Sequence, residues 1–315
     1  MSNQIPVSHV RQYSSNVFHL SQQKGSVLRG EGIRIESQQG KSKGYDRIGA
    51  TAAIKKASRH GDTPLINSEH SRRTVFLEDY EWADLIDDQD KIRMIWSPES
   101  PYAEAAGYAM GRSMDDEMIL AALGNAFGGT DGATSVALPT SQKLACFDGT
   151  TTTGVGLNTL TMRKLKQKFD ANEVFKDRKR YLVHTSYQLY DLLGDSQATS
   201  SDFSTIKALV AGEIDTWLGF KFVMTERLPR SASNITYTIT NGIVGAGTGT
   251  ITAAASRRCF AYADKAILLS IGKDVKARMG ERADKSYSMQ VYLCMSIGST
   301  RMEEAAVVEL DCAEV

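Results

Sequence analysis

Residues 97–124 read SPESPYAEAAGYAMGRSMDDEMILAALG. Pro101 can occupy an early helical position without losing an internal hydrogen bond, and Ser100 is a reasonable cap. At about 100° per residue, Ala103, Ala106, Met110, Met114, Met118 and Ala121 fall on one broad face, with Glu104, Arg112 and Asp115 nearly opposite. The spacing predicts an amphipathic helix of about 24 residues. Gly124 and the FGGTDG after it mark its end. Ala106, Met110, Met114 and Met118 are expected to fill a core, because methionine is an adaptable apolar side chain before it is a ligand. Asp115 and Asp116 point about 100° apart and make no shared acid-base site; an i,i+4 contact from Arg112 to Asp116 accounts for them.

Upstream, the stretch SQQKGSVLRGEGIRIESQQGKSKG has too few regularly spaced apolar groups to build its own core and predicts an extended arm over 1–54. Ile33 and Ile35 flank Arg34 in a weak alternation, half a strand lying on another surface. Lys41, Lys43, Arg47, Lys55, Lys56 and Arg59 then meet a single acid, Asp46. The sign reverses beyond Arg72 and Arg73, with Glu78, Asp79, Glu81, Asp84, Asp87, Asp88 and Asp90 uninterrupted by any base. Val75, Leu77 and Asp79 share one side of a possible strand, while Trp82, Leu85 and Ile86 have helical spacing. Basic and acidic blocks side by side in a neutral chain suit contact between copies of the same molecule; a solvated surface is the alternative.

Downstream, a helix is expected from Asn158 to about Phe169 on the stripe Met162, Leu165 and Phe169. A strand over Tyr181–His184 feeds a helix around Tyr187–Leu193. Phe220, Phe222 and Met224 alternate as a strand does, and Pro229 ends that element. ITYTIT at 235–240 reads as a strand, and IVGAGTGTITAAA as loop at its glycines. Tyr287, Met289, Val291, Leu293 and Met295 alternate again, and Ala305–Leu310 closes the chain as an apolar strand. Strands from distant segments, without regular βαβ spacing or an internal repeat, give an α+β class.

Composition removes several functions. Lys and Arg total 37 against 37 for Asp and Glu, so no global attraction to polyphosphate or anionic membrane exists. At 315 residues the chain is long enough for one large domain or two packed ones. No apolar run approaches the roughly 20 residues that cross a bilayer, and the N-terminus lacks a signal-peptide pattern, so a cytosolic compartment is expected. Cys146, Cys259, Cys294 and Cys312 are spread too widely in sequence for a zinc knuckle or redox dithiol and are expected as small buried hydrophobes.

Chemical motifs fail one after another. GVG at 154–156 lacks the third spaced glycine of a dinucleotide loop, and GAGTGT at 245–250 lacks the lysine of a phosphate loop. The five histidines form no HExxH. His184 lies near Thr185 and Ser186 without a nucleophile elbow. Asn234-Ile235-Thr236 matches a glycosylation acceptor but has no secretory context. No cofactor and no metal is implied.

The order of segments, above all SPESPYAEAAGYAMGRSMDDEMILAALG, VAGEIDTWLGFKFVMTERLP and AILLSIGKDVKARMGERADKSYSMQVYLCMSIGSTRMEEAAVVEL, resembles the major capsid proteins of tailed bacteriophages with the Hong Kong 97-like fold. The resemblance spans nearly the whole chain and rests on packing patterns. It implies an N-terminal arm (1–54), an extended loop lying across an adjacent subunit (55–95), and a peripheral domain (96–180) whose spine helix runs from about 100 to 124. An axial domain (181–264) and a return to the peripheral domain (265–315) complete it. It further implies hexamers and pentamers closing an icosahedral shell around double-stranded DNA, in a virion assembled in the bacterial cytoplasm, with no membrane. Separate scaffolding and portal proteins are implied partners, and a decoration protein is a further one.

In that setting Lys55, Lys56, Arg59, Arg72, Arg73, Glu78, Asp79, Glu81, Asp84, Asp87 and Asp88 become candidates for contact between subunits. Arg11, Lys24 and Arg29 become candidates for facing DNA phosphates. Gly107 and Gly111 are expected to let the long helix bend. No residue can be assigned to a covalent cross-link. Another phage component, of tail or decoration type, is the first alternative; a hydrolase using His184 with Ser186 or a distant acid is the second.

Overall fold

In the computed structural model, the described residues are 21–56, 58–59, 61–63, 65–87, 99–146, 155–174, 177–195, 216–231, 235–240, 243–244, 249–253 and 256–314. Two compact units divide the chain, one gathering 1–26, 79–113 and 273–296, the other 27–78, 114–272 and 297–315.

The elements follow as β1 (Arg34–Ser37), β2 (Ser42–Ile48), β3 (His70–Phe76), β4 (Glu78–Ile86), α1 (Glu99–Leu123), β5 (Ala126–Gly128), β6 (Thr134–Val136) and β7 (Lys143–Ala145). After these come α2 (Thr159–Ala171), β8 (Arg180–His184), α3 (Ser186–Gly194), β9 (Thr216–Trp217), β10 (Phe220–Met224), β11 (Arg230–Ser231), β12 (Ile235–Thr240), β13 (Ile243–Val244) and β14 (Gly249–Ala253). The last strands are β15 (Ser256–Ala263), β16 (Ile267–Arg282), β17 (Ser288–Arg301) and β18 (Val307–Ala313).

The larger unit is built on a ten-stranded sheet ordered β14-β12-β13-β7-β18-β15-β8-β10-β9, with β11 paired to β15. Its centre is mixed: β15 runs antiparallel to β18 and β8, whereas β10 is parallel to β8 and β7 to β18. Every residue of β8 and β18 is buried, the charged Arg180, Glu309 and Asp311 included, so neither strand shows the inside-outside alternation of a half-exposed one. The α2 helix begins where the Asn158 carboxamide accepts the Thr161 backbone N–H at 2.8 Å. It buries Met162, Leu165 and Phe169 against this unit, the Phe169 ring meeting Phe220 edge-on at 5.5 Å. In the glycine-bearing run read as loop, β13 and β14 pair with β12, because a ladder satisfies the backbone there despite the glycines.

A second sheet of this unit, ordered β2-β3-β5-β6, is rooted on the β2–β3 hairpin. Its register runs from Ser42 opposite Phe76 to Ile48 opposite His70. One face therefore carries Lys43, Tyr45, Arg47, Arg73 and Val75, and of these Tyr45 and Val75 form a buried cluster with Leu268, against which Met302 packs. The opposite face carries Asp46 and Arg72, ion-paired at 2.6 Å in solvent. Residues 41–54 are thus partly strand, not wholly an arm. β1 pairs in parallel with the start of β16, Arg34 opposite Leu268 and Ser37 opposite Ile271. Ile33 precedes it and is buried, while Ile35 is exposed, so the two isoleucines do not share a strand face.

In the smaller unit, β4 neighbours β17, and β17 neighbours β16. The helical spacing read at Trp82, Leu85 and Ile86 is overturned: the segment is strand, with Ile86 buried and Leu85 exposed. Positions four apart lie on one face of a helix and of a strand alike, and Leu85 supplied the misleading third point.

Within α1, Ala106, Met110, Met114 and Met118 are all buried. Asp115, expected opposite them, is buried too, because its carboxylate accepts the backbone N–H groups of Val27 and Leu28 at 3.0 and 3.1 Å. The expected Arg112–Asp116 contact is replaced. Arg112 donates to the Gln22 side chain and the Gln23 carbonyl, and Asp116 takes a two-pronged pair from Arg227. A Cβ on Gly111 would lie 2.5 Å from the Gly25 backbone, so this glycine permits close approach of the chain; Gly107 has open space around it.

Candidate functional site

From Ile48 to His70 every described residue is exposed. The stretch includes Ile48, Ile54, Leu65 and Ile66 at 70, 58, 92 and 46 % of full exposure. Four large aliphatic side chains on one connection, with Leu65 almost wholly exposed, make an apolar surface that its own chain covers only in part. Lys55, Lys56 and Arg59 lie on the same connection and are exposed.

The roots of this connection are fixed by buried charge. Arg73 donates to Glu304 Oε1 at 2.5 Å, and Arg47 to Glu304 Oε2 at 3.1 Å and to the Met302 carbonyl. Burial raises the Glu304 carboxyl, but the hydrogen bonds from Arg73 and Arg47 and the Arg73 charge outweigh it and hold the group below the usual glutamate value. Arg301, fully buried, lies 3.9 Å from Glu304 Oε1 through its Nε. Its Nη1 donates to the carbonyls of Ala121, Ala122 and Gly124, and Nη2 to that of Val136. The first three are the carbonyls at the end of α1, where a helix dipole favours a cation. Desolvation lowers the Arg301 pKa, partly offset by Glu304. A Cβ on Gly298 would lie 2.0 Å from the Phe76 carbonyl oxygen, so β17 and β3 approach at a point that only glycine allows. One carboxylate thus ties the hairpin that carries the exposed connection to the cation that closes α1.

The remaining candidates are scattered. Arg72 is held by Asp46, and Arg73 is buried in the cluster above, away from the surface basic residues. In the smaller unit, Asp87, Glu81 and Asp79 accept from Ser288, Tyr292 and Ser296, and Asp84 accepts from the Leu85 backbone. Glu78 and Lys24 are exposed, and Arg29 lies half-buried against the Met114 sulfur. Asp88 and Arg11 fall outside the described residues. Sequence reading missed Glu304 and Arg301: they belong to an ordinary-looking STRMEEAA stretch, and only the tertiary fold brings Arg47, Arg73 and Glu304 together.

His184 is buried, its Nδ1 2.8 Å from the Thr185 carbonyl and its ring edge-on to Phe222. Burial pushes its pKa down. Among the described residues no hydrogen bond joins it to Ser186, whose backbone N–H instead binds Glu226. Among the described residues no three His, Cys, Asp or Glu side chains are placed to hold a metal ion, and no helix is long and apolar enough to cross a membrane. The four cysteines are buried free thiols, and two that are distant in sequence, Cys146 and Cys312, meet at 3.1 Å between sulfurs.

The phage capsid protein family matches residues 5–314, and the chain belongs to that family, with the Hong Kong 97-like fold. Among solved structures it is similar to the capsid of the cyanophage P-SCSP1u, at TM-score 0.72 and 15 % identity over 100 % of this chain and 96 % of that one. The acid-stable capsid of Helicobacter pylori bacteriophage KHP30 gives TM-score 0.70 at 11 % identity, covering 99 % and 97 %. The capsid of Ralstonia phage GP4 gives 0.69 at 11 %, covering 98 % and 96 %. These likenesses establish the fold. Comparison with curated proteins gives no match.

Proposed function

We propose that the chain is the repeating wall unit of a phage head, self-assembling into hexamers and pentamers that close an icosahedral shell around double-stranded DNA. The observation that carries this reading is the exposed aliphatic connection between β2 and β3, anchored on the buried Arg47–Glu304–Arg73 cluster. A surface of this kind is stabilised by burial, each large aliphatic side chain contributing about 1.5–3 kcal/mol when covered. Many identical contacts in one closed particle add to one another.

In this reading residues 55–95 contain the loop laid on an adjacent subunit, α1 is the spine of a peripheral domain, 181–264 form the axial domain, and 265–315 return to the periphery. Lys55, Lys56 and Arg59, beside the exposed aliphatics, supply the polar rim of that contact, and exposed acids such as Glu78 supply complementary charge. Lys24, Arg29 and Arg11 face the packaged DNA as salt-dependent phosphate contacts. Scaffolding and portal proteins are the expected assembly partners, with the virion as destination.

Electron microscopy of the purified product, expressed with the assembly proteins of its phage, tests the reading. Closed uniform shells are expected; short rings without five-fold closure would assign the chain to a tail, and dispersed monomers would overturn shell formation.

A further inference from the structure

A cavity of about 480 Å³ in the larger unit is lined by Lys166 and Asp170 of α2, by Arg178, Lys179 and Arg180 leading into β8, and by Lys221 of β10. Five cations therefore face one acid. The β9–β10 hairpin forms its rim, turning through Leu218 and Gly219, both at positive φ (52° and 87°), with Trp217 opposite Phe220. That two-residue turn fits the strand twist, and its tight reversal sets Lys221 opposite Thr216.

Three of the cations are held in place by the chain. Arg180, only 6 % exposed, gives Nη2 to Asp170 at 2.6 Å and to the Val174 carbonyl at 2.8 Å, beneath the Phe169 and Phe220 rings. Arg178 binds the Asp264 carbonyl and Glu303, and Lys221 binds Glu31. Among the described residues the Nε and Nη1 groups of Arg180 have no acceptor, and the side chains of Lys166 and Lys179 have no partner. Counting Glu303 and Glu31 with Asp170, three acids oppose five bases, which leaves an excess of two positive charges around these N–H donors.

We propose that this cavity is a phosphate-binding site, with the open edge of Arg180 as the fixed donor and Lys166 and Lys179 closing on the anion. A carboxylate would neutralise half of the excess charge, whereas a free phosphate, or two successive diester phosphates of one charge each, matches it and accepts from several donors at once. The phosphate comes from a nucleic-acid backbone or from a free anion. The first source rests on the capsid reading; the site itself does not.

The test uses the purified full-length chain, with sodium pyrophosphate titrated by calorimetry and a fluorescent 20-base-pair duplex followed by anisotropy across a salt series. Lys166→Glu with Lys179→Glu, and the Gln pair, are the variants; thermal unfolding checks that they fold like the parent. Pyrophosphate affinity is expected to fall at least tenfold in the Glu pair and less in the Gln pair. If the backbone is the source, the slope of log K against log salt becomes shallower by about 1.8, the release expected from two lost phosphate contacts. An unchanged slope with weakened pyrophosphate binding supports the site and assigns it to a free anion. Equal pyrophosphate affinity in parent and variants overturns the site, and electron microscopy of the same preparations separates that outcome from failure of shell formation.

Discussion

The Arg301 guanidinium donates to the Gly124 carbonyl at 2.9 Å, placing a fully buried cation on the last turn of the 25-residue helix. Arg301→Met removes the donor to four backbone carbonyls at a buried position, and is expected to cost about 3 kcal/mol or more. Arg301→Lys, a point charge without the planar fork, should recover only part of this. Denaturant midpoints of the unassembled chain measure both.

Glu304 is the shared anion of Arg47 and Arg73, with Arg301 close by. Glu304→Gln strands buried positive charge and is expected to cost about 3–5 kcal/mol. Its folded pKa lies below the ordinary 4.5, so its stabilisation is present above that value and is lost as pH falls through the folded pKa. The parent should therefore lose stability more steeply than the variant between about pH 5 and 3, as followed by chemical unfolding at stepped pH.

His184 acts at milder acidity. Burial lowers its pKa from 6.5, so below that value the unfolded chain takes up a proton that the folded chain refuses. Stability is expected to fall as pH drops from 6.5 towards the folded pKa, and His184→Gln should flatten that part of the curve. Equal slopes in the two proteins would contradict it.

Leu65→Asp with Ile54→Asp changes side chains that touch little within the chain. Unfolding of the unassembled protein should shift by no more than about 0.5 kcal/mol. Shell yield by sedimentation should fall at least tenfold, because the same change recurs in every copy.

Asp115→Ala leaves the backbone N–H groups of Val27 and Leu28 without their acceptor and is expected to cost about 3 kcal/mol. Hydrogen exchange should accelerate at residues 27 and 28 before it does in β8.

Much of the fold could be read from short periodic signals. The α1 stripe, α2 on Met162, Leu165 and Phe169, and the strands at 181–184 and 235–240 all announce themselves by apolar spacing. What stayed hidden depends on charged residues that turn inward. Lys43, Tyr45, Arg47, Arg73 and Val75 do alternate, but three of the five are basic, and a period-2 pattern written in lysine and arginine looks like solvent. Asp115 was misplaced for the same reason: its burial depends on two amides some ninety positions away. The exposed connection was legible as a weakly self-packed segment, whereas Glu304 and Arg301 carry no local mark of their roles.

The pairing of Tyr45 with Arg73 and of Arg47 with Ser71 sets both arginines on one side of the hairpin, and a slip of one residue between the strands would put them on opposite faces, turning one away from Glu304. Above the Gly49–Glu69 backbone hydrogen bond, the described residues of 50–68 belong to no strand or helix. Loop closure grows only slowly with length, by about 0.6 kcal/mol per doubling. Foreign peptides inserted there should leave the folded chain nearly as stable as before, making the segment a place for epitope display.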